Sequence, residues 1–498
     1  MRIIALWIFA GLILSDAARA EPISEADLLR HIEILASDEF EGREPGTVGE
    51  NKTVNYIATQ WSRAGLRPAS ENGSWYAPVP LVERRPMSHR IDFSHRSGGK
   101  TVRLSREGIL LRSRGPDFRQ SGIPVIFAGF ADLEPGGLSV AGKLVLLPRA
   151  PSANSDKLPD FRKRKQQLIA AGAVGVITVI EEQARWPAFR RYFQRGATTL
   201  AGPDHHAAVE GLISFDEFRK LVRQSDLDAE ALLADRDAIS ALDLGLNADA
   251  RTETQVRPYL SHNVIGKIPG SDPDQGAVLF MGHWDHFGIC RIEDPIDPGK
   301  DRICNGAVDN ASGISLLIES ARRLSAGEPV RDIYFLATTA EEKGLLGAHA
   351  FVEDAPIALD ALVVVFNADT IALSDNGRNI AVIGLGETSL DRHIEIVAAK
   401  ENREIDRSGK TDIYLKRQDG YVFLEQNIPA YMISSAFADE ERLNAFINGP
   451  YHDVGDEVND TLVLAGAAAD ANFHVALGRY FSSTRTYPGK ATSGETDN

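Results

Sequence analysis

The chain has 498 residues, enough for roughly two to four domains, and its 43% apolar and 25% charged content is ordinary soluble usage, which excludes disordered, collagen-like and multi-span membrane classes. Lys+Arg 54 against Asp+Glu 70 leaves a net charge of −16 that repels a phosphate backbone, so nucleic acid is excluded as a partner. Two cysteines exclude a disulfide scaffold and a four-thiolate zinc site, so any metal must be held largely by histidines and carboxylates.

The first twenty residues read as an export signal. Arg2 gives a basic start, residues 3–14 are an apolar run, and Ala18-Arg19-Ala20 is a small-x-small cleavage site. The run is too short to span a bilayer, and no cysteine follows to take a lipid. The expected mature chain starts near Glu21, is periplasmic or secreted, and has no stable membrane anchor.

Ser24-Glu25-Ala26-Asp27 has capping-box spacing, and Ala26, Leu28, Leu29, Ile32 and Leu35 form an apolar helical face. A second helix is expected over 49–64, with the Gly/Pro loop 41–46 between the two. From 105 to 255 the texture changes to short β-rich runs at 124–127, 144–147 and 174–180, with Gly/Pro turns and one helix around 163–171. That stretch reads as an inserted module. From 261 onward, apolar runs at 277–281, 333–337 and 361–366 alternate with helical stretches at 313–324 and 345–351, the pattern of an α/β sheet with helices on both faces. Residues 484–498 are polar and expected to fray.

The strand-to-loop junctions of this last region carry potential ligands, and open α/β sheets collect ligands at the carboxyl ends of their strands. His283 in Gly282-His283-Trp284-Asp285-His286 can ligate, with Asp285 buttressing it, or can be a hydrogen-bonded core histidine. Asp309 stands between Gly306 and Gly313 just before a helix, as a presented carboxylate or as an acidic first turn. Glu341 and Glu342 adjoin at a strand end, where one carboxylate can bind metal while its neighbour handles a proton. Asp369 and His452 follow. Imidazole mixed with carboxylate suits Zn²⁺, and coordination left open to water makes such a site catalytic. His205-His206 admits a second metal site, although a solvated loop is the expected reading.

On these residues the sequence resembles the co-catalytic zinc metallopeptidases, a family that includes secreted bacterial leucyl aminopeptidases and glutamate carboxypeptidase. The resemblance implies the zinc exopeptidase fold, a mixed, mostly parallel sheet with helices on both faces, and two Zn²⁺ ions. It puts His283 and Asp369 on one zinc, Glu342 and His452 on the other, and Asp309 between them. Glu341 becomes the general base and Asp285 orients His283. The stretch Leu35-Ala36-Ser37-Asp38-Glu39-Phe40-Glu41-Gly42-Arg43 is similar to the family's amino-terminal segment. The 105–255 insert is similar to its β-rich protease-associated domain, most recognisably at 171–179. The implied organisation is a signal peptide (1–20), a peptidase domain in two pieces (21–104 and 256–483), the insert (105–255) and a tail (484–498).

One departure stands out: many relatives carry Ser-Asp-His near an oxyanion-stabilising tyrosine where this chain has Gln418-Asp419-Gly420-Tyr421, which makes Tyr414 and Tyr421 the candidate donors. Cys290 and Cys304, both in the loop between His283 and Asp309, are expected to form a disulfide in an oxidising compartment. The expected function is a zinc-dependent exopeptidase acting on peptides, an aminopeptidase first. A carboxypeptidase or dipeptidase on the same centre is the alternative, suggested by Lys410, Lys416 and Arg417, and a non-catalytic binding protein of this fold is the third reading.

Overall fold

Runs of five to seven apolar residues that leave no polar face belong to strands buried on both sides, and three of them lie side by side in this protein. The computed structural model describes residues 21–98, 101–130, 139–149, 161–202, 206–234, 241–291, 297 and 299–489. The expected signal peptide, residues 1–20, lies outside the described residues, as do His205 and residues 490–498 of the expected tail. The chain forms two compact units. One comprises residues up to Val79 together with Ser261 onward, and the other is Pro80–Leu260.

In the first unit, Ala277–His283 is flanked in parallel by Asp332–Thr338 and Leu362–Asn367. Ala430–Ser434 continues in parallel beyond Leu362–Asn367. Antiparallel strands follow on both sides: Asn379–Ile383 beside Ala430–Ser434, with Glu404–Ile405 in parallel beyond it, and residues 264–268 of Leu242–Ile268 beside Asp332–Thr338. Side chains of a strand alternate between faces. Val278 and Phe280 therefore join one core, with Ile314 and Leu317 of the helix Ser312–Leu324 and Phe473 and Leu477 of the helix Ala465–Phe481. Ala277, Leu279 and Met281 join the opposite core, with Phe351 of the helix Leu346–Glu353 and Phe423 of Gly420–Leu424. Phe280 stacks on Phe335 at 5.4 Å between ring centroids and meets Phe366 at 5.3 Å. This is a mixed, mostly parallel sheet with helices on both faces, as expected.

The capping box forms as the sequence spacing predicts: Ser24 caps Glu25–Leu35, and Asp27 returns a hydrogen bond to it. The second helix runs Val48–Arg63. The tail does not fray at 484. Tyr487 is buried, edge-on to His393 at 4.9 Å, and Arg331 donates to its carbonyl.

In the second unit, Asp117–Phe127, Leu144–Arg149, Gly175–Ile180 and Val209–Ser214 pair in parallel order. Ile109–Ser113 lies antiparallel at one side, and residues 242–253 of Leu242–Ile268 at the other. The change of texture at 105 lies inside this unit, because the strand Tyr76–His95 carries the chain into it and Leu242–Ile268 carries it out. Nor is the unit β-rich with a single helix. Besides Phe161–Ala170 it holds Trp186–Arg195, Phe215–Val222 and Ala229–Ala234, elements of ten residues or fewer whose apolar stripes are too short to read as periodic. Among the described residues no helix is long and apolar enough to cross a membrane.

Candidate metal centre

Three neighbouring parallel strands end at the same level, and each delivers a ligand type from its carboxyl end. His283 is the last residue of Ala277–His283, Glu341 and Glu342 follow Asp332–Thr338, and Asp369 follows Leu362–Asn367. Asp309 arrives from the irregular turn 307–311 that leads into Ser312–Leu324, and His452 from a loop after the helix Glu440–Ile447. Three residues beside or within this set, Ala340, Thr370 and His452, are non-glycine residues with φ between 52° and 58°. Left-handed backbone at such residues costs on the order of 1 kcal/mol each and concentrates at functional sites.

Nε2 of His283 lies 3.2 Å from Asp309 and 3.5 Å from Asp369. Nε2 of His452 lies 3.1 Å from Glu342 and 3.3 Å from Asp309, so Asp309 stands between His283 and His452. That nitrogen is buried and makes a hydrogen bond to neither carboxylate. Donor atoms that approach one another without hydrogen-bond angles suit a shared cation. Single donor atoms of His283, Asp309 and Asp369 gather within 4.8 Å of one another, and so do those of His286, Asp309 and Glu342. The residues fit a pair of divalent ions of the zinc type, with imidazole and carboxylate at each pole.

Electrostatics agree. Burial opposes a charge on His452, yet Glu342 and Asp309 outweigh it and lift its pKa to about 10. Burial likewise opposes charge on His283, and the carboxylates of Glu341 and Asp369 lift its pKa well above the ordinary value. The field that holds these protons is one that bound cations neutralise. Burial, together with Glu342, Asp419 and Asp369, pushes Glu341 well above the usual carboxylate range. A carboxylate of raised proton affinity in a pocket is a candidate for proton transfer.

Asp285 acts differently from the expectation. Nδ1 of His283 meets the main-chain carbonyl of Asp285 at 3.1 Å, while the Asp285 carboxylate stands 3.9 Å away. That carboxylate instead accepts the Glu341 N–H at 3.0 Å, because the turn 284–286 directs it toward the next strand's loop. It orients His283 by backbone and the base by side chain. Of the two tyrosines, Tyr414 lines the pocket beside Glu341, whereas Tyr421 sits on the short helix Gly420–Leu424 beneath the Lys416 ammonium and is not among the lining residues. Cys290 and Cys304 are joined, with Cα atoms 5.7 Å apart.

Several residues here lie outside the ligand set expected from the sequence. Fully buried His286 has Nδ1 2.9 Å from Glu342. Asp456 accepts from the N–H groups of Val308 and Asp309 at 2.8 and 3.0 Å and holds the turn that presents Asp309. Asn310 donates to the carbonyls of His283 and Ala368. Arg43 donates to the carbonyls of Leu35, Trp284, Asn305 and Gly306. Tyr451 lines the pocket, a cleft with about 480 Å³ of atom-free space, together with Met432, Phe437, Leu443, Phe446, Ile447 and Arg417.

Residues 263–475 match the sequence profile of peptidase family M28. That segment, less than half of the chain, is similar to the family. It contains every ligand named above and Glu341. A probable zinc metalloprotease of Pyrenophora teres f. teres (strain 0-1) is 34% identical over 122 residues, 24% of this chain and 25% of its own. A glutamate carboxypeptidase 2 homolog of Caenorhabditis elegans is 27% identical over 181 residues, 35% of this chain and 20% of its own. The match thus spans about a quarter of the length of the former and a fifth of the latter. An aminopeptidase from Aneurinibacillus sp. strain AM-1 superposes with a TM-score of 0.55 at 16% identity, over 93% of this chain and 94% of that one, a likeness of fold.

Proposed function

We propose that this chain is a zinc-dependent exopeptidase, and specifically an aminopeptidase that releases amino-terminal residues from peptides. The observation that carries the reading is Glu341, a buried carboxylate of raised proton affinity that lines the same pocket as His283, Asp309 and Asp369. His283, Asp309 and Asp369 would hold one zinc, and Glu342, His452 and Asp309 the other. When bound, the two ions polarise the scissile carbonyl and bring the pKa of water down toward about 7.

The protein's own groups do the rest. The Glu341 carboxylate, steered by its N–H bond to Asp285, takes the proton of the attacking water and passes it to the departing amine. His286 fixes one oxygen of Glu342 and leaves the other toward His452. Met432, Phe437, Leu443 and Phe446 offer apolar walls for a side chain of the substrate. The surplus of carboxylates around the pocket favours a free α-ammonium over a blocked one.

A carboxypeptidase or dipeptidase reading is favoured by one observation, the Arg417 cation on the pocket wall, which suits a substrate carboxylate. Hydrolysis of unblocked aminoacyl p-nitroanilides beside their amino-acetylated counterparts, before and after chelation and zinc restoration, separates the readings. We expect cleavage of the unblocked set alone, abolished by chelator and restored by Zn²⁺. Silence on both sets with cleavage of carboxyl-free dipeptides would move the assignment to the second reading, and activity indifferent to chelation would reject both.

A further inference from the structure

Charge is divided unevenly along this chain. The unit Pro80–Leu260 holds 27 Lys/Arg against 22 Asp/Glu, whereas the remainder holds 27 against 48. The basic excess lies in residues 161–195, with eight Lys/Arg against two Glu.

Some of these cations are committed. Lys165 pairs with Glu210 at 2.9 Å, Arg185 with Glu182 at 3.1 Å and Arg190 with Glu107 at 3.1 Å. Arg164 is buried. Arg162, Arg191 and Arg195 are exposed. Among the described residues they meet no carboxylate, and neither does Arg149 at the end of Leu144–Arg149.

One of these four cations, Arg149, rests on aromatic rings. The Arg149 guanidinium lies over the rings of Phe161 and Phe189 at 5.7 and 5.2 Å, and Arg185 lies over Phe189 at 5.4 Å. Burial, and then the like charges of Arg185 and Arg162, depress the Arg149 pKa, and of the three only Arg185 has a carboxylate partner among the described residues. Like charges brought together cost free energy unless an anion joins them. On the helix Trp186–Arg195, Trp186 and Phe193 are buried and anchor it, while Tyr192 is 67% exposed, between Arg191 and Arg195 in sequence.

We propose that this face docks on an anionic phospholipid bilayer, with Arg149, Arg162, Arg191 and Arg195 on lipid phosphates and Tyr192 at headgroup depth. A strand end and two helices spread the single charges over a surface, which matches many headgroups rather than one enclosed ligand. An exposed aromatic ring among cations is the composition of interfacial helices. Each arginine near an anionic leaflet strengthens partitioning about fivefold, and salt screens it.

The test is co-sedimentation of the full chain with phosphatidylcholine vesicles, with and without phosphatidylglycerol. Binding to the anionic vesicles alone, lost at about 0.5 M salt, is expected. Arg149→Gln, Arg162→Gln, Arg191→Gln and Arg195→Gln combined should weaken it several hundredfold, about fivefold per charge, and Tyr192→Ser severalfold. The four Arg→Lys changes should retain it, and an unchanged circular dichroism spectrum shows that each variant is folded. Equal sedimentation with both vesicle types, binding undiminished in the folded Gln variant, or capture by soluble polyglutamate without vesicle binding would each overturn the proposal.

Discussion

Arg43 is 1% exposed and yet carries its charge into the heart of the peptidase unit, where its hydrogen bonds go to main-chain carbonyls. Burial lowers its pKa to about 10, with Asp456 and Asp309 opposing, so it stays charged at neutral pH. Trp284 follows His283, while Asn305 and Gly306 precede Asp309, so one side chain sets the spacing of two ligand loops. Arg43→Gln strands most of these carbonyls. We expect a loss of about 3 kcal/mol or more, seen as a lower urea midpoint, with weaker zinc retention on dialysis. Glu341→Gln is the contrasting case, since it removes proton transfer and leaves every ligand in place. Its zinc content should match the parent's while kcat falls about a thousandfold; undiminished turnover would take the base role from Glu341.

At the scale of elements, the turn that presents Asp309 is bracketed by glycines that leave no room for a Cβ: at Gly306 one would come within 2.2 Å of the Asp309 carbonyl. Gly306 has φ +60°, open to glycine at little cost. Gly313 lets the helix start press on the sheet: a Cβ there would come within 2.3 Å of Asn310 Oδ1 and 2.4 Å of the Ala368 carbonyl. Gly313→Ala should therefore shift Asn310, and with it the loops of His283 and Asp369, lowering both thermal midpoint and zinc occupancy. A variant with parental midpoint and full zinc would contradict this.

The apolar runs ending in His283, Glu341 and Asp369 were legible because a fully buried strand needs several consecutive apolar residues, and a polar residue at its end has few other uses. Arg43 and His286 stood in stretches the sequence pointed to, but their roles were not legible, and Asp456 was not legible at all. Each works through contacts between segments far apart in sequence, and no local periodicity marks them. The helices of the inserted unit were missed for the opposite reason: each is too short, and too charged on its outer side, for its period to emerge.

For the molecule as a whole, acid sensitivity has an identifiable contributor. His474 is fully buried in the helix Ala465–Phe481 between the rings of Phe280 and Phe366, its Nδ1 donating to the Asp470 carbonyl. Burial, helped by Arg403, lowers its pKa to about 4. Above pH 6.5 the residue is neutral folded and unfolded, and adds no pH dependence. As pH falls from about 6.5 to 4, only the unfolded chain gains the proton, so the fold loses up to roughly 3 kcal/mol, with no further loss from this group at lower pH. Urea midpoints across this range should fall more steeply for the parent than for His474→Gln, and parallel profiles would remove His474 as the cause.

The reach of Arg43 also sets an order of events in biosynthesis. Its acceptors at Trp284, Asn305 and Gly306 lie 241, 262 and 263 residues downstream. A nascent chain displays this arginine to solvent through most of its synthesis, and the ligand loops cannot take their final spacing until the chain's beginning folds back onto them. A candidate ligand set that includes His452 is complete only later still, after Arg43 and all its distant acceptors have been made.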